Sequence, residues 1–136
     1  MKWVLALLVG LAALALVAPA AADSPTAVTW EFVFDDVNPC TGGVHTVTIA
    51  GATLVHEHDG RTVAHSERTI TTSPTGYVGR GTDTEVLNGQ VEMFRETDIL
   101  TSPSGSRIRA HFVLVVDAST GAVKVFAGAL PTCLGR

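Results

Sequence analysis

The chain has 136 residues and a formal charge of −4, and its Lys and Arg residues are scattered, so the electrostatic footprint of a nucleic-acid or anionic-membrane binder is missing. Hydrophobic residues make up 46 %, but the excess sits in the first 22 positions; beyond them the fraction falls to about 39 %, ordinary for a soluble globular protein. What remains is long enough to enclose one core and too short for two domains.

Met1 and Lys2 lead into an apolar run from Trp3 to Val17, followed by Ala18-Pro19-Ala20-Ala21-Ala22 and Asp23. A short basic start, an apolar segment too short for a stable membrane span, and small residues ahead of the cut are the marks of a secretory signal peptide. Residues 1–22 are expected to be removed between Ala22 and Asp23, leaving a single β-barrel domain, 23–136. Its formal charge becomes −5, because Lys2 is the only charged residue lost. No cysteine near the cut offers a lipid anchor, so the expected location is secreted, extracellular or on the exterior of the cell envelope.

Period-2 runs separated by turn residues recur along the rest of the chain, and helical periodicity is nearly absent. Trp30, Phe32 and Phe34 alternate with Glu31, Val33 and Asp35 in a first strand. Val44 to His58 forms a long second segment, expected to bend at Gly51, and Asp59-Gly60 turns it into a third, Arg61 to Thr72. Ser73-Pro74-Thr75-Gly76 leads to a fourth, Tyr77 to Leu87. Asn88-Gly89 is a strong hairpin signal, because both residues tolerate positive φ. A fifth strand, Gln90 to Thr101, then meets a sixth, Ser106 to Val116, through Ser102-Pro103-Ser104-Gly105. The seventh, Ala122 to Leu130, follows Asp117-Ala118-Ser119-Thr120-Gly121. The predicted fold is therefore all-β, an antiparallel up-and-down meander of seven or eight strands closing into a small barrel, with a two-sheet sandwich as the alternative. Cys40 and Cys133 follow strands one and seven. In an oxidising compartment they are expected to form a disulfide that pins the sheet ends together and stabilises the fold by about 4 kcal/mol.

Turn lengths set register, and register decides which side chains share a face. The alternation Ile108, Ala110, Phe112, Leu114, Val116 marks an inward face, continued through Val123, Val125 and Ala127. A four-residue Ser102–Gly105 turn pairs Asp98 with Arg109 and Glu96 with His111, and sets Arg95 opposite Phe112. Carried back through the hairpins, the same inward face gathers His56, His58, His65, Glu67, Thr82, Thr84 and Arg95. So many polar groups require a wet lumen, unless a bulge at Gly79-Arg80-Gly81 turns them outward. Asp83, Glu85, Glu92, Glu96 and Asp98 then form a solvated outer face, with Glu85 opposite Glu92; a calcium site there is disfavoured by the flat strand geometry.

His56, His58 and His65 suggest a metal site, with Glu67 or His45 as further ligands, although Arg61 opposite His58 repels a cation. His45 and His111 read more simply as half-exposed strand residues, the latter beside Glu96. A His65–Glu67 acid/base pair with an Arg95 oxyanion clamp is the enzymatic alternative, but no nucleophile-base motif supports it. Outward Val113, Val115 and Phe126 form an apolar strip suited to self-association or to the docking of a terminal segment.

Asn38-Pro39-Cys40-Thr41-Gly42, the His-bearing hairpin from His56 to His65, Gly76-Tyr77-Val78-Gly79-Arg80-Gly81, the Val115-Val116-Asp117 strand end with Gly121, and the terminal Cys133 together resemble uncharacterised small secreted bacterial proteins of actinobacterial type. The group usually has an acid where this chain has Gly43, and a His near Val113. The resemblance implies secretion, β structure and a disulfide, with no activity attached. The expected function is a secreted, non-enzymatic β-barrel binding a small polar or anionic ligand in its lumen through Arg95, His65, Thr84, Glu67 and His56, without a cofactor. The alternative is an extracellular structural or interaction protein with a filled core.

Overall fold

The computed structural model describes residues 25–135, so the expected signal peptide and its expected cut lie outside the described residues. Seven strands follow one another as the turn signals require: β1 (Thr26–Val37), β2 (Val44–His58), β3 (Arg61–Ser73), β4 (Val78–Leu87), β5 (Val91–Thr101), β6 (Arg107–Asp117) and β7 (Val123–Gly135). They form one antiparallel meander sheet in the order β1 to β7. No helix among the described residues is long and apolar enough to cross a membrane.

The sheet curls without closing. Val47 of β2 and Ile108 of β6 share one core cluster with Ile70, Tyr77 and Leu100, although four strand spacings, about 19 Å in a flat sheet, separate β2 from β6. Curling therefore brings the two halves face to face. The expected barrel closure is absent, however: β1 and β7 are the ends of the strand order and do not pair with each other. Cys40, just after β1, instead bonds to Cys133 of β7, with Cα atoms 4.9 Å apart. The disulfide thus ties the two margins at one end of the sheet.

Two expected registers are found as read. Asp59-Gly60 sets His56 opposite Val63 and Leu54 opposite His65, and the Ser73–Gly76 turn sets Thr84 opposite His65 and Thr82 opposite Glu67. The β4–β5 loop is centred on Gly89-Gln90 instead of Asn88-Gly89, with Asn88 N–H donating to Val91 O. Gly89 takes φ 81°, as the first central residue of a type II′ turn requires. The resulting shift of two residues leaves each face unchanged, but Glu85 now opposes Phe94 and Glu92 opposes Leu87.

The β5–β6 register differs by one residue, and that reverses the faces. The loop is Pro103-Ser104-Gly105, closed by Ser102 N–H to Ser106 O at 2.8 Å and by Gly105 N–H to Ser102 O at 3.0 Å. Gly105 at φ 90° supplies the left-handed residue of a three-residue hairpin. Ile99 therefore opposes Arg109, Glu96 opposes Phe112 and Arg95 opposes Val113. The buried face of β6 is Ile108, Ala110 and Phe112, as expected, but the residues that share it are the acids of β4 and β5.

At β6–β7 the expected pairing of Val116 with Val123 holds, and a register shift follows immediately. It places Phe126 opposite Leu114 on the concave side, stacked at 5.8 Å on Phe112. The apolar strip of Val113, Val115 and Phe126 is therefore split between two faces. Val113 and Val115 stay outside, opposite Ala127 and Val125. Gly51 does not interrupt β2, whose pairing runs through it on both sides.

Candidate functional site

Each cross-strand row of the concave face can be read from the registers, and one row carries charge. Trp30, Gly51, Arg68, Gly81, Asp98 and Ala110 follow one another from β1 to β6. Large side chains alternate with glycines because each glycine supplies the space its neighbours fill. A Cβ on Gly51 would lie 2.8 Å from the Trp30 ring, and one on Gly81 would lie 1.6 Å from Asp98 Oδ1 and 2.9 Å from Arg68 Nε. The Gly79-Arg80-Gly81 segment is thus not a bulge: pairing is continuous through it on both sides. Its glycines let Arg68 on β3 reach across β4 to Asp98 on β5.

Arg68 is buried, with 8 % of the residue exposed, and its guanidinium is surrounded by carboxylates. Nε and Nη2 donate to Asp98 Oδ1 at 2.9 and 2.7 Å, Nη1 donates to Asp83 Oδ2, and Nη2 lies 3.3 Å from Glu96 Oε2. Burial disfavours the guanidinium charge, but Glu96, Asp98 and Asp83 outweigh it and hold the Arg68 pKa above its usual value. Burial, reinforced by Asp98, pushes Glu96 up to about 8, so at neutral pH it is protonated and can donate a hydrogen bond. Asp83 is raised chiefly by burial, against the opposing pull of Arg68.

Asp83 also accepts from Ser66. Ser66 Oγ lies 2.9 Å from Thr53 Oγ1, which accepts from Trp30 Nε1 at 2.8 Å. Because Thr53 receives the indole proton, its own hydroxyl is free to donate to Ser66, and Ser66 to Asp83. One hydrogen-bonded chain therefore runs through the interior from β1 to β5. It ends in ion pairs that are satisfied internally.

The predicted lumen residues lie on the other side of the sheet. His56, His65, Glu67 and Arg95 are exposed on the convex face, and Thr84 is half-buried there. Three of them are brought together: His65 Nδ1 is 3.1 Å from Thr84 Oγ1, and Thr84 is directly opposite Arg95. The one-residue change at the β5–β6 hairpin accounts for the reversal. Asp83, Glu85, Glu92, Glu96 and Asp98, expected on a solvated outer face, share the concave face instead. Glu85 is raised to about 7 by burial and by the neighbouring Glu92.

His58 pairs with Asp59 at 3.0 Å in an exposed turn, and among the described residues no group of three or more His, Cys, Asp or Glu could hold a metal ion. In the acidic interior the guanidinium of Arg68 takes the place a cation would need. His45, expected to be half-exposed, is buried, with Nδ1 2.9 Å from Thr75 Oγ1; burial lowers its pKa against the opposing charge of Asp36. His111 lies beside Thr97, at 2.8 Å, and not beside Glu96.

A cavity of about 20 Å³ remains between β2, β3, β5 and β6, lined by Val47, Ile49, Ile70, Leu100, Ile108 and Asp98 among others. That is room for roughly one water. No family model matches the chain, and no curated protein or solved structure matches it.

Proposed function

We propose that this chain is a secreted, non-enzymatic interaction protein of the cell exterior whose interior is a stabilising core and whose working surface is its outer wall. The observation that carries this reading is the saturation of Arg68. The one cation of the charged row already holds Asp83, Glu96 and Asp98, and the adjoining space has room for about one water. A ligand entering there would have to displace a buried ion cluster. The signal-like first 22 residues and the Cys40–Cys133 disulfide support export to an oxidising compartment.

The test is native mass spectrometry of the protein recovered from the medium of its producing cells. The expected mass is that of residues 23–136 with the disulfide formed and nothing else retained. A stoichiometric small molecule or metal surviving desalting refutes the filled-core reading, and a retained leader refutes export.

A further inference from the structure

The two strands that send their carboxylates inward, β4 and β5, send their arginines outward, and β6 beside them adds two more. Asp83, Glu85, Glu92, Glu96 and Asp98 of β4 and β5 share the concave face, whereas Arg80, Arg95, Arg107 and Arg109 all stand exposed on the convex face. None of these four guanidiniums has an ion pair or a side-chain hydrogen bond among the described residues. Acids on this face stand only at its margins. Glu67 lies on neighbouring β3, opposite Thr82, and Asp117 at the far end of β6 is already paired with Lys124 at 3.0 Å. An acidic chain thus presents a basic outer wall that no linear window of its sequence reveals.

We infer that this wall binds an anionic polysaccharide, and the inference rests on the exterior interaction role proposed above. Spacing favours a polymer over a small anion. Arg80 and Arg109 both neighbour Ile99 in the same row, which puts their backbones about 10 Å apart, and Arg107 is two residues, about 7 Å, from Arg109. Arg95 lies six residues along β5 from Thr101, the partner of Arg107, extending the positive track to about 20 Å. One small anion cannot engage that length, whereas successive sulfate or carboxylate groups on a chain can. Guanidinium forks match both groups bidentately.

The residues between the arginines fit sugars better than bases. The same face carries Thr82, Thr84, Thr97, Thr101 and His111, hydroxyl and imidazole groups that pair with sugar hydroxyls. It has no Phe, Tyr or Trp on β4–β6, and base stacking is what single-stranded nucleic-acid surfaces use.

The test is retention on immobilised heparin, with duplex DNA and neutral dextran as competitors, using the disulfide-bonded secreted protein. The wild type is expected to bind at low salt and to elute as salt rises. Arg107→Gln with Arg109→Gln should weaken binding roughly tenfold or more, in proportion to the charges removed. Arg61→Gln, exposed on β3 outside the track, should leave binding unchanged. The urea midpoints of all variants should match that of the wild type, since none of these side chains is buried. No retention of the wild type, equal loss with Arg61→Gln, competition by neutral dextran, or preference for duplex DNA each overturns the assignment. Failure here removes the glycan partner alone, because the filled core is judged separately by the mass measurement.

Discussion

Alanine at position 81 reverses the usual sign of a glycine substitution. Gly81 sits in the interior of β4 without a positive φ, and in such a place alanine ordinarily gains about 0.5–1 kcal/mol from reduced freedom of the unfolded chain. Here the added Cβ would fall 1.6 Å from Asp98 Oδ1, so Asp98 must leave the Arg68 guanidinium. Breaking one side of a buried ion pair costs about 3–5 kcal/mol. The net expectation for Gly81→Ala is a loss of roughly 2–4 kcal/mol, read as a lower urea midpoint at unchanged slope. Coupling identifies the cause. In an Asp98→Ala background the contacts with the carboxylate are gone and only the flexible Arg68 side chain, with Nε 2.9 Å from the added Cβ, has to shift, so Gly81→Ala should cost much less, and the double mutant should fall short of additivity by about 2 kcal/mol. A neutral or stabilising Gly81→Ala, or strict additivity with Asp98→Ala, refutes the claim that Gly81 exists to let Arg68 reach β5.

The raised carboxylates make a pH prediction whose sign is opposite to that of an ordinary salt bridge. Glu96 titrates near 8 in the folded chain and near 4.3 when unfolded, so between those values the native state holds the extra proton and stability falls as pH rises. Urea unfolding should show maximum stability near pH 5 and a decline toward pH 8 on the order of 1 kcal/mol per unit; Glu96→Gln should flatten it, and an unchanged slope would count against Glu96 as the source. Cys40→Ser with Cys133→Ser opens a link spanning 93 residues and should cost about 4–5 kcal/mol in the chain-entropy model, measured as the difference in unfolding free energy from the oxidised wild type. A difference below about 1 kcal/mol would show that the core alone holds the sheet margins together.

What could be read from the chain divides at one turn. Asp59-Gly60 and Ser73–Gly76 gave correct registers because the strands they join are long and their turn residues leave little choice of geometry. At Ser102-Pro103-Ser104-Gly105 two loops were compatible with the same residues, a four-residue turn and a three-residue turn ending on left-handed Gly105. The four-residue alternative paired Asp98 with Arg109 and Glu96 with His111, chemically sensible neighbours, so local chemistry could not expose the error. The true partner of Asp98 is Arg68, 30 positions earlier and two strands away. A nearest-neighbour pairing rule does not reach that far. The signal that could have found it was Gly79-x-Gly81: two glycines on one face of a strand mark a place where long side chains from both flanking strands need room. The basic outer wall was hidden for the same reason, since Arg80 and Arg95 join the Arg107-Ile108-Arg109 pair of arginines through pleat and register, not through proximity in the chain.

The buried ions also bear on why the sheet adopts one register. A slip of two residues keeps every side chain on its face and is therefore weakly opposed by hydrophobic pattern alone. It is strongly opposed by Arg68, whose reach to Asp98 exists only while Gly81 lies between them. Replacing the cluster by apolar groups, as in Arg68→Met with Asp83→Leu, Glu96→Leu and Asp98→Leu, removes the desolvation penalty of the ions and should leave overall stability within about 2 kcal/mol of the wild type or above it. The expected change is in uniqueness: amide cross-peaks of β3–β5 should broaden or double as alternative pairings become populated, while those of the β1–β2 pair stay single. A variant that keeps one sharp set of resonances would assign the cluster no role in register and reduce it to a satisfied polar inclusion in the core.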